Sequence, residues 1–288
     1  MALSKLSGDE KRTIFVQLCD VFDPGVAVAF SSTSSELREL TTAERQQLQA
    51  DHEAAAALAH NAGKGSCKRL REARDIGTHA GGLSSDDLAT LGMLGSVLPA
   101  LEKFYMSDGF SGVRPDGVQR LAEKLRAGAL PAVTFVRLGY MSDADASALA
   151  LALDRGALQQ LKKLQLGYAA VGDAALVALA PALRRLPALE VIDLERNPLA
   201  DTGLAALVAP PQPAGVPPPM TGGLTKLKSL SLVRTQITDA GCATLAAALD
   251  SGALPALGDL LLSGIPASAA AKATVRRAGS RAGFCVRG

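Results

Sequence analysis

The residue types that most often carry catalysis or bind metals are sparse in this sequence. The three histidines, His52, His60 and His79, occur neither in a His-Glu-x-x-His arrangement nor beside a pair of cysteines, as a zinc site would require. The sequence has no Gly-x-Ser-x-Gly nucleophile elbow, and Gly63-Lys64-Gly65-Ser66 lacks the upstream glycine of a phosphate-binding loop. We therefore expect no catalytic residues, no metal and no cofactor, and we expect the protein not to be an enzyme.

The chemistry that the sequence does offer is that of binding. Tyr105 lies between the last two residues of a recurring apolar pattern, Tyr140 and Tyr168 lie two residues beyond its last leucine, and several arginines occupy related positions. Tyrosine and arginine combine a large contact area with directional hydrogen bonds, which is why they dominate the energetics of protein interfaces. The elements that position these side chains therefore decide what the protein can do.

The pattern Leu-x-x-Leu-x-x-Leu-x-Leu, or a close apolar variant, occurs six times. The copies begin at Leu98, Leu130, Leu158, Leu186, Leu224 and Leu254. Their spacing is about 30 residues, close to the period of leucine-rich repeats. Within a copy, Leu164-Gln165-Leu166 alternates as a strand does, whereas Asp173, Leu176 and Leu179 recur at helical spacing, with the aspartate placed to cap or charge the helix start. Each unit is predicted to be a strand, a loop and a helix.

One such unit cannot bury its own apolar face, so the units must stack. Over roughly residues 83–271 the chain resembles the ribonuclease-inhibitor-like class of leucine-rich repeats. The resemblance implies an α/β solenoid that is curved, with parallel strands on the concave face and helices on the convex face.

In this class the outward strand positions point into the concave face, where partners bind. The resemblance therefore implies a partner-binding surface formed by Tyr105, Phe135, Arg137, Tyr140, Lys163, Gln165, Tyr168, Asp193, Glu195, Arg196 and Arg234. The alternative is that exposed strand positions accept tyrosine without any partner, because tyrosine favours strands.

The amino-terminal segment does not follow the repeat and is predicted to be helical, with a long helix over residues 41–60. It resembles an F-box in Leu6-Ser7-Gly8-Asp9-Glu10, Ile14-Phe15-x-x-Leu18, Asp23-Pro24 and Leu37-Arg38-Glu39-Leu40. An F-box docks onto the linker subunit of cullin-type ubiquitin ligases, and the resemblance implies docking through Ile14, Phe15, Leu18 and Pro24. The alternative is a helical cap that covers the apolar end of the first repeat.

Three regions are predicted: a helical segment over 1–62, a solenoid over 63–271, and a basic cap or tail over 272–288. A proline-rich stretch over 210–223 is expected to form a surface loop. The net charge of +2 gives no argument for nucleic acid, and no signal peptide or long apolar run predicts membrane insertion. The four cysteines are not closely spaced and are expected to be buried free thiols, so we expect an intracellular protein, cytoplasmic or nuclear.

These features predict a non-enzymatic scaffold that recognises a protein partner on the concave face. A sharper version makes it an F-box-type substrate receptor of a ubiquitin ligase. The alternative is a regulator of an enzyme, either an inhibitor or a GTPase activator, for which Arg196-Asn197 is the suggestive pair. That pair also fits a turn that stabilises its neighbours.

Overall fold

The computed structural model describes residues 5–77, 83–106, 116–208 and 223–288. The chain divides into two compact units, residues 1–73 and residues 74–288. His79 and most of the proline-rich stretch, residues 210–222, lie outside the described residues.

The first unit is helical. Its elements are α1 (Gly8–Leu18), α2 (Gly25–Ser31), α3 (Ser35–Leu40), α4 (Thr42–Asn61) and α5 (Cys67–Arg71). Phe15, Ala27 and Leu48 form its core, and α4 agrees with the predicted long helix. The run between Val26 and Leu40 forms two helices, because the Ser34 hydroxyl accepts a hydrogen bond from the Leu37 N–H at 3.1 Å and caps a new helix.

The second unit is built on one parallel sheet. Its strands are β1 (Asp75–Gly77), β2 (Lys103–Tyr105), β3 (Phe135–Arg137), β4 (Lys163–Gln165), β5 (Val191–Asp193), β6 (Ser229–Ser231), β7 (Asp259–Leu261) and β8 (Cys285–Arg287). The strands lie side by side in chain order. The middle residue of every strand is buried, as the two-residue period of a strand requires when one face is covered.

The helices of this unit also stack in chain order. They are α6 (Ser85–Leu94), α7 (Gly117–Lys124), α8 (Asp143–Asp154), α9 (Asp173–Arg185), α10 (Asp201–Val208), α11 (Asp239–Asp250) and α12 (Ala269–Arg281), and each packs against the next. Leu176, Leu179 and Leu183 are fully buried, so α9 turns one apolar face inward at helical spacing. The predicted α/β leucine-rich repeat solenoid is confirmed.

Two strands were not predicted. The segment that forms β1 has a single apolar side chain, Ile76, and β8 lies where a basic cap or tail was expected. Val286 is 5% exposed in β8, and the strand pairs with β7. Arg281 pairs with Asp250 at 2.7 Å. The carboxyl-terminal basic residues therefore lie on the surface of a further repeat that continues the sheet.

The aspartates that open the helices bond to the following repeat. Asp173 accepts the Ala200 N–H at 2.8 Å, Asp201 accepts the Thr238 N–H at 2.9 Å, and Asp239 accepts the Ser268 N–H at 2.6 Å. In each case the donor immediately precedes the next helix, so these carboxylates, which we call the aspartate ladder, join neighbouring repeats.

Among the described residues, no helix is long and apolar enough to cross a membrane.

Candidate binding face

The first and third residues of each strand form the face of the sheet opposite its buried middle residues, and we call it the open face. The register aligns these residues in two rows across the strands. The open face carries the predicted binding residues that lie on strands, namely Tyr105, Phe135, Arg137, Lys163, Gln165 and Asp193. The structure therefore brings these six side chains onto one surface.

The other predicted binding residues follow the strands instead of lying on them, because each strand is three residues long. We call Tyr140, Tyr168, Glu195, Arg196 and Arg234 the loop edge. Hydrogen bonds between successive repeats continue through it, from Tyr168 N–H to the Glu195 carbonyl at 2.9 Å and from Arg196 N–H to the Val233 carbonyl at 2.8 Å. The loop edge therefore continues the inter-repeat bonding of the sheet at Tyr168, Arg196 and Arg234.

The loop edge presents its aromatic side chains to solvent. Tyr140 is 52% exposed and Tyr168 is 54% exposed. The Arg196 guanidinium carbon lies 4.8 Å from the centre of the Tyr168 ring, within range of a cation–π interaction. Tyr168, Arg196 and Arg234 adopt left-handed backbone conformations with φ of 60°, 53° and 53°. Such angles are unfavourable for side chains other than glycine, and the stacked repeats hold these residues in them.

An aromatic pair lies on the open face. The ring centres of Tyr105 and Phe135 are 5.0 Å apart. Tyr105 also packs over Gly77, where a Cβ atom would lie 2.6 Å from the Tyr105 Cβ. Both rings are partly exposed, so they offer apolar area to a partner while anchoring the first strands of the sheet.

Two acidic residues that precede strands, Glu190 and Glu102, have basic partners. Glu190 precedes β5 and accepts a hydrogen bond from Lys228 at 3.0 Å. That hydrogen bond is the main cause that lowers the pKa of Glu190, and the charges of Lys228, Lys162 and Lys163 add to it. Glu102 precedes β2 and lies 3.5 Å from Arg74.

Asn197 is a structural residue. It is 2% exposed; its amide donates to the carbonyls of Leu166 at 2.7 Å and Leu194 at 2.9 Å, and its carbonyl oxygen accepts from the Val171 N–H at 2.8 Å. The residues at the same position in other repeats, Met141, Ala169, Thr235 and Ile265, are also buried. Asn197 is therefore not accessible to a partner, whereas Arg196 is exposed on the loop edge.

In the first unit, the predicted docking residues differ in accessibility. Phe15 is 0% exposed in the core, and Leu18 packs against that core. Phe15 holds the unit together, and the prediction that it docks is wrong. Ile14 is half-buried, and Pro24 lines a groove of about 390 Å³ with Val28, Arg45, Gln46, Leu48 and His52, among others.

Sequence reasoning missed the exposed apolar residues of the first unit. Val16 is 54%, Val26 58% and Val28 40% exposed. Helical spacing could have identified Val16, since consecutive residues of α1 are about 100° apart and Val16 therefore points away from the direction of Phe15.

No group of three or more His, Cys, Asp or Glu side chains that could hold a metal occurs among the described residues.

Cys67 and Cys242 are buried, and burial is the main cause that raises the pKa of both thiols. Cys285 is exposed, so the expectation that every cysteine is buried is wrong. It lies at an outward position of β8.

Comparison with known proteins agrees with the repeat architecture. Residues 186–208 and 223–246 match a family model described as Leucine Rich repeat. These segments contain β5 with α10 and β6 with the start of α11. No curated protein matches the chain significantly. A chain in the crystal structure of the Rad7 and Elc1 complex in yeast is 11% identical over 86% of this chain and 95% of its own, with a TM-score of 0.25, too low to support an argument.

Proposed function

We propose that the protein is a non-enzymatic recognition scaffold that binds a protein partner through the open face and the loop edge. Leucine-rich repeats are typical of protein–protein interaction. The observation that carries the proposal is the exposure of Tyr140 and Tyr168 in successive repeats at one position of the loop edge. Two half-exposed tyrosines aligned beside arginines match the composition of interface hot spots.

The test compares affinity capture by the full chain with capture by two double variants. Tyr140→Ala with Tyr168→Ala removes the aromatic area of the loop edge. Leu151→Ala with Val177→Ala is the matched control, because these side chains are 56% and 44% exposed on α8 and α9. We expect the tyrosine variant to lose partners that the control retains, with both keeping the wild-type melting temperature. Capture that depends on Leu151 and Val177 but not on the tyrosines would place binding on the helices and refute the proposal.

We further propose that the first unit docks onto the linker subunit of a cullin-type ubiquitin ligase, which would make the protein a substrate receptor. The F-box resemblance suggests this role, and the exposed valines support it. Val16, Val26 and Val28 lie on α1 and α2, where water would otherwise contact apolar area.

Co-purification of the full chain with a recombinant linker subunit tests this docking role. We expect Val16→Asp with Val26→Asp to abolish co-purification, because a buried carboxylate without a partner is costly at an interface. Val177→Asp, a comparably exposed valine on α9, should have no effect. Failure of the wild-type chain to bind the linker would reject the docking role and leave the open-face proposal standing.

A further inference from the structure

The outward residues of β2, β3 and β4 form a basic–aromatic cluster, which we define as Lys103, Tyr105, Phe135, Arg137 and Lys163. The register places Phe135 directly between Lys103 and Lys163. It also places Arg137 beside Tyr105. Three cations and two rings therefore occupy neighbouring outward positions.

The charge of the open face is divided along the sheet. The outward positions of β2 to β4 contain no carboxylate, whereas those of β5 to β7 contain Asp193 and Asp259 and no cation. Asp259 lies 3.5 Å from Arg287 at an outward position of β8. Asp75 on β1 faces Lys103 and bounds the cluster on that side. The two nearest carboxylates before the strands, Glu102 and Glu190, pair with Arg74 and Lys228. A partner that covers the cluster therefore meets net positive charge.

We propose that the basic–aromatic cluster binds an acidic segment of a protein partner in extended conformation, with an apolar side chain of that segment against Phe135 and Tyr105. The inference rests on the proposed open-face function and specifies the chemistry of the partner. Opposite charge supplies attraction and register, and the two rings supply apolar area.

Strand spacing fixes the pattern of the segment. Neighbouring strands are about 4.8 Å apart, so the backbones at Lys103 and Lys163 are separated by roughly 10 Å. An extended peptide that crosses the strands advances about 3.3 Å per residue. Side chains alternate along an extended peptide, so residues i, i+2 and i+4 face the sheet together. Carboxylates four residues apart, about 13 Å, therefore lie within reach of the two flexible lysine side chains, and the residue midway between them lies over Phe135.

Single-stranded nucleic acid also combines negative charge with flat rings, but the charge division disfavours it. A polyanion that continued along the open face would meet the Asp193 carboxylate, and like charges at close range repel. A peptide with an acidic portion and a neutral or basic continuation suits both halves of the face.

Selection of a random-peptide phage library on the full chain tests the inference. We expect enrichment of peptides that carry Asp or Glu four residues apart with an apolar residue midway between them. Lys103→Glu with Lys163→Glu should lower the affinity for the selected peptides by about tenfold or more. The same variant should not make any other binding more sensitive to salt. Lys124→Glu with Lys226→Glu changes the net charge equally at exposed lysines elsewhere and should leave the affinity within about twofold.

Selected peptides without acidic residues, or equal losses in both lysine variants, would overturn the inference. So would tight binding of fluorescein-labelled poly(uridine) that the Lys103 and Lys163 reversals abolish. If no acidic peptides are selected but Tyr140→Ala with Tyr168→Ala still loses cellular partners, this inference fails and the proposed function stands. If the tyrosine variant also keeps every partner, the proposed function fails with it.

Discussion

At the scale of single residues, Asn197 shows how one side chain can replace a backbone hydrogen-bonding pattern. It binds three backbone groups at 2.9 Å or less, in two successive repeats. The loops at these points turn away from the sheet, so their carbonyl and N–H groups have lost strand partners. A buried amide supplies both a donor and an acceptor, which no apolar side chain at this position can do.

Replacing Asn197 by Leu should lower the free energy of unfolding by about 2–4 kcal/mol, because it leaves buried backbone groups without partners. Thr235→Val is the graded control. Thr235 occupies the same position in the next repeat and donates one hydrogen bond, to the Leu232 carbonyl at 2.8 Å, so we expect a loss of about 0.5–1.5 kcal/mol. Urea denaturation measures both. Equal losses in the two variants would contradict the assigned role of Asn197.

At the scale of elements, the aspartate ladder explains why glycine recurs near the helix starts. Gly203 and Gly241 are the third residues of α10 and α11. A Cβ on Gly203 would lie 2.8 Å from the Asp173 carboxylate, and a Cβ on Gly241 would overlap the Asp201 carboxylate. Each glycine therefore leaves room for the carboxylate that joins its repeat to the one before.

Gly241→Ala should destabilise the protein, although alanine normally favours a helix over glycine by about 1 kcal/mol. The new Cβ would lie 2.6 Å from Ile237 Cγ2 as well as against Asp201, and crowding of this kind costs about 1–3 kcal/mol. Gly8→Ala is the control, because its Cβ would be 3.7 Å from the nearest atom. Thermal unfolding followed by circular dichroism should show a lower midpoint for the first variant and no decrease for the second.

The ladder also predicts a dependence of stability on pH. Hydrogen bonds from the backbone N–H and then the hydroxyl of Ser268 lower the pKa of Asp239 below its ordinary value of 3.8. A carboxyl whose pKa is lower when folded stabilises the protein above its unfolded pKa of about 3.9, and that contribution is lost as pH falls through the folded pKa.

Asp239→Asn should therefore lower the melting temperature near neutral pH, and the difference from wild type should shrink as pH falls below about 3.9. Asp143→Asn, at an exposed carboxylate in the first turn of α8, controls for the loss of one negative charge. Melting curves recorded across this pH range test the prediction. A difference that stays constant down to the most acidic sample would show that ionisation of Asp239 does not contribute.

At the scale of the whole molecule, apolar periodicity predicted the second unit well and the first unit poorly. Each of the six leucine patterns forms a strand, because stacking requires every repeat to bury an apolar residue at the middle of its strand. The edge strands β1 and β8 were not predicted, because each has one buried side chain at its middle, which is too little to show a sequence pattern. In the first unit, the F-box resemblance assigned Phe15 to docking, although Phe15 belongs to the core.

Outward residues of the sheet could be assigned to the open face from their spacing, since strand geometry fixes which side chains alternate. The left-handed backbone of Tyr168 and Arg196 could not be predicted. Neither residue type favours such angles, and the stacking of loops on their neighbours imposes them. The division of charge along the open face also required the register, because it depends on which residues of different repeats lie side by side.

Two cores in one chain predict two separable unfolding events. Phe15 is fully buried with Ala27 and Leu48 in the first unit, and Phe15→Ala should destabilise that unit by about 3–5 kcal/mol. The sequence contains no tryptophan and three tyrosines, and Tyr105, Tyr140 and Tyr168 all belong to the second unit. Tyrosine fluorescence therefore reports the second unit alone, whereas far-ultraviolet circular dichroism reports the helices of both.

Urea titration of Phe15→Ala should move part of the circular dichroism transition to lower denaturant and leave the tyrosine fluorescence midpoint unchanged. Val26→Ala, at a side chain that is 58% exposed on α2, should change neither signal. The same experiment bears on function, because a variant that unfolds the first unit alone should keep binding through the open face and lose any docking by the valines. A fluorescence midpoint that falls together with the circular dichroism would show that the two units unfold as one, and binding at one could then not be separated from the stability of the other.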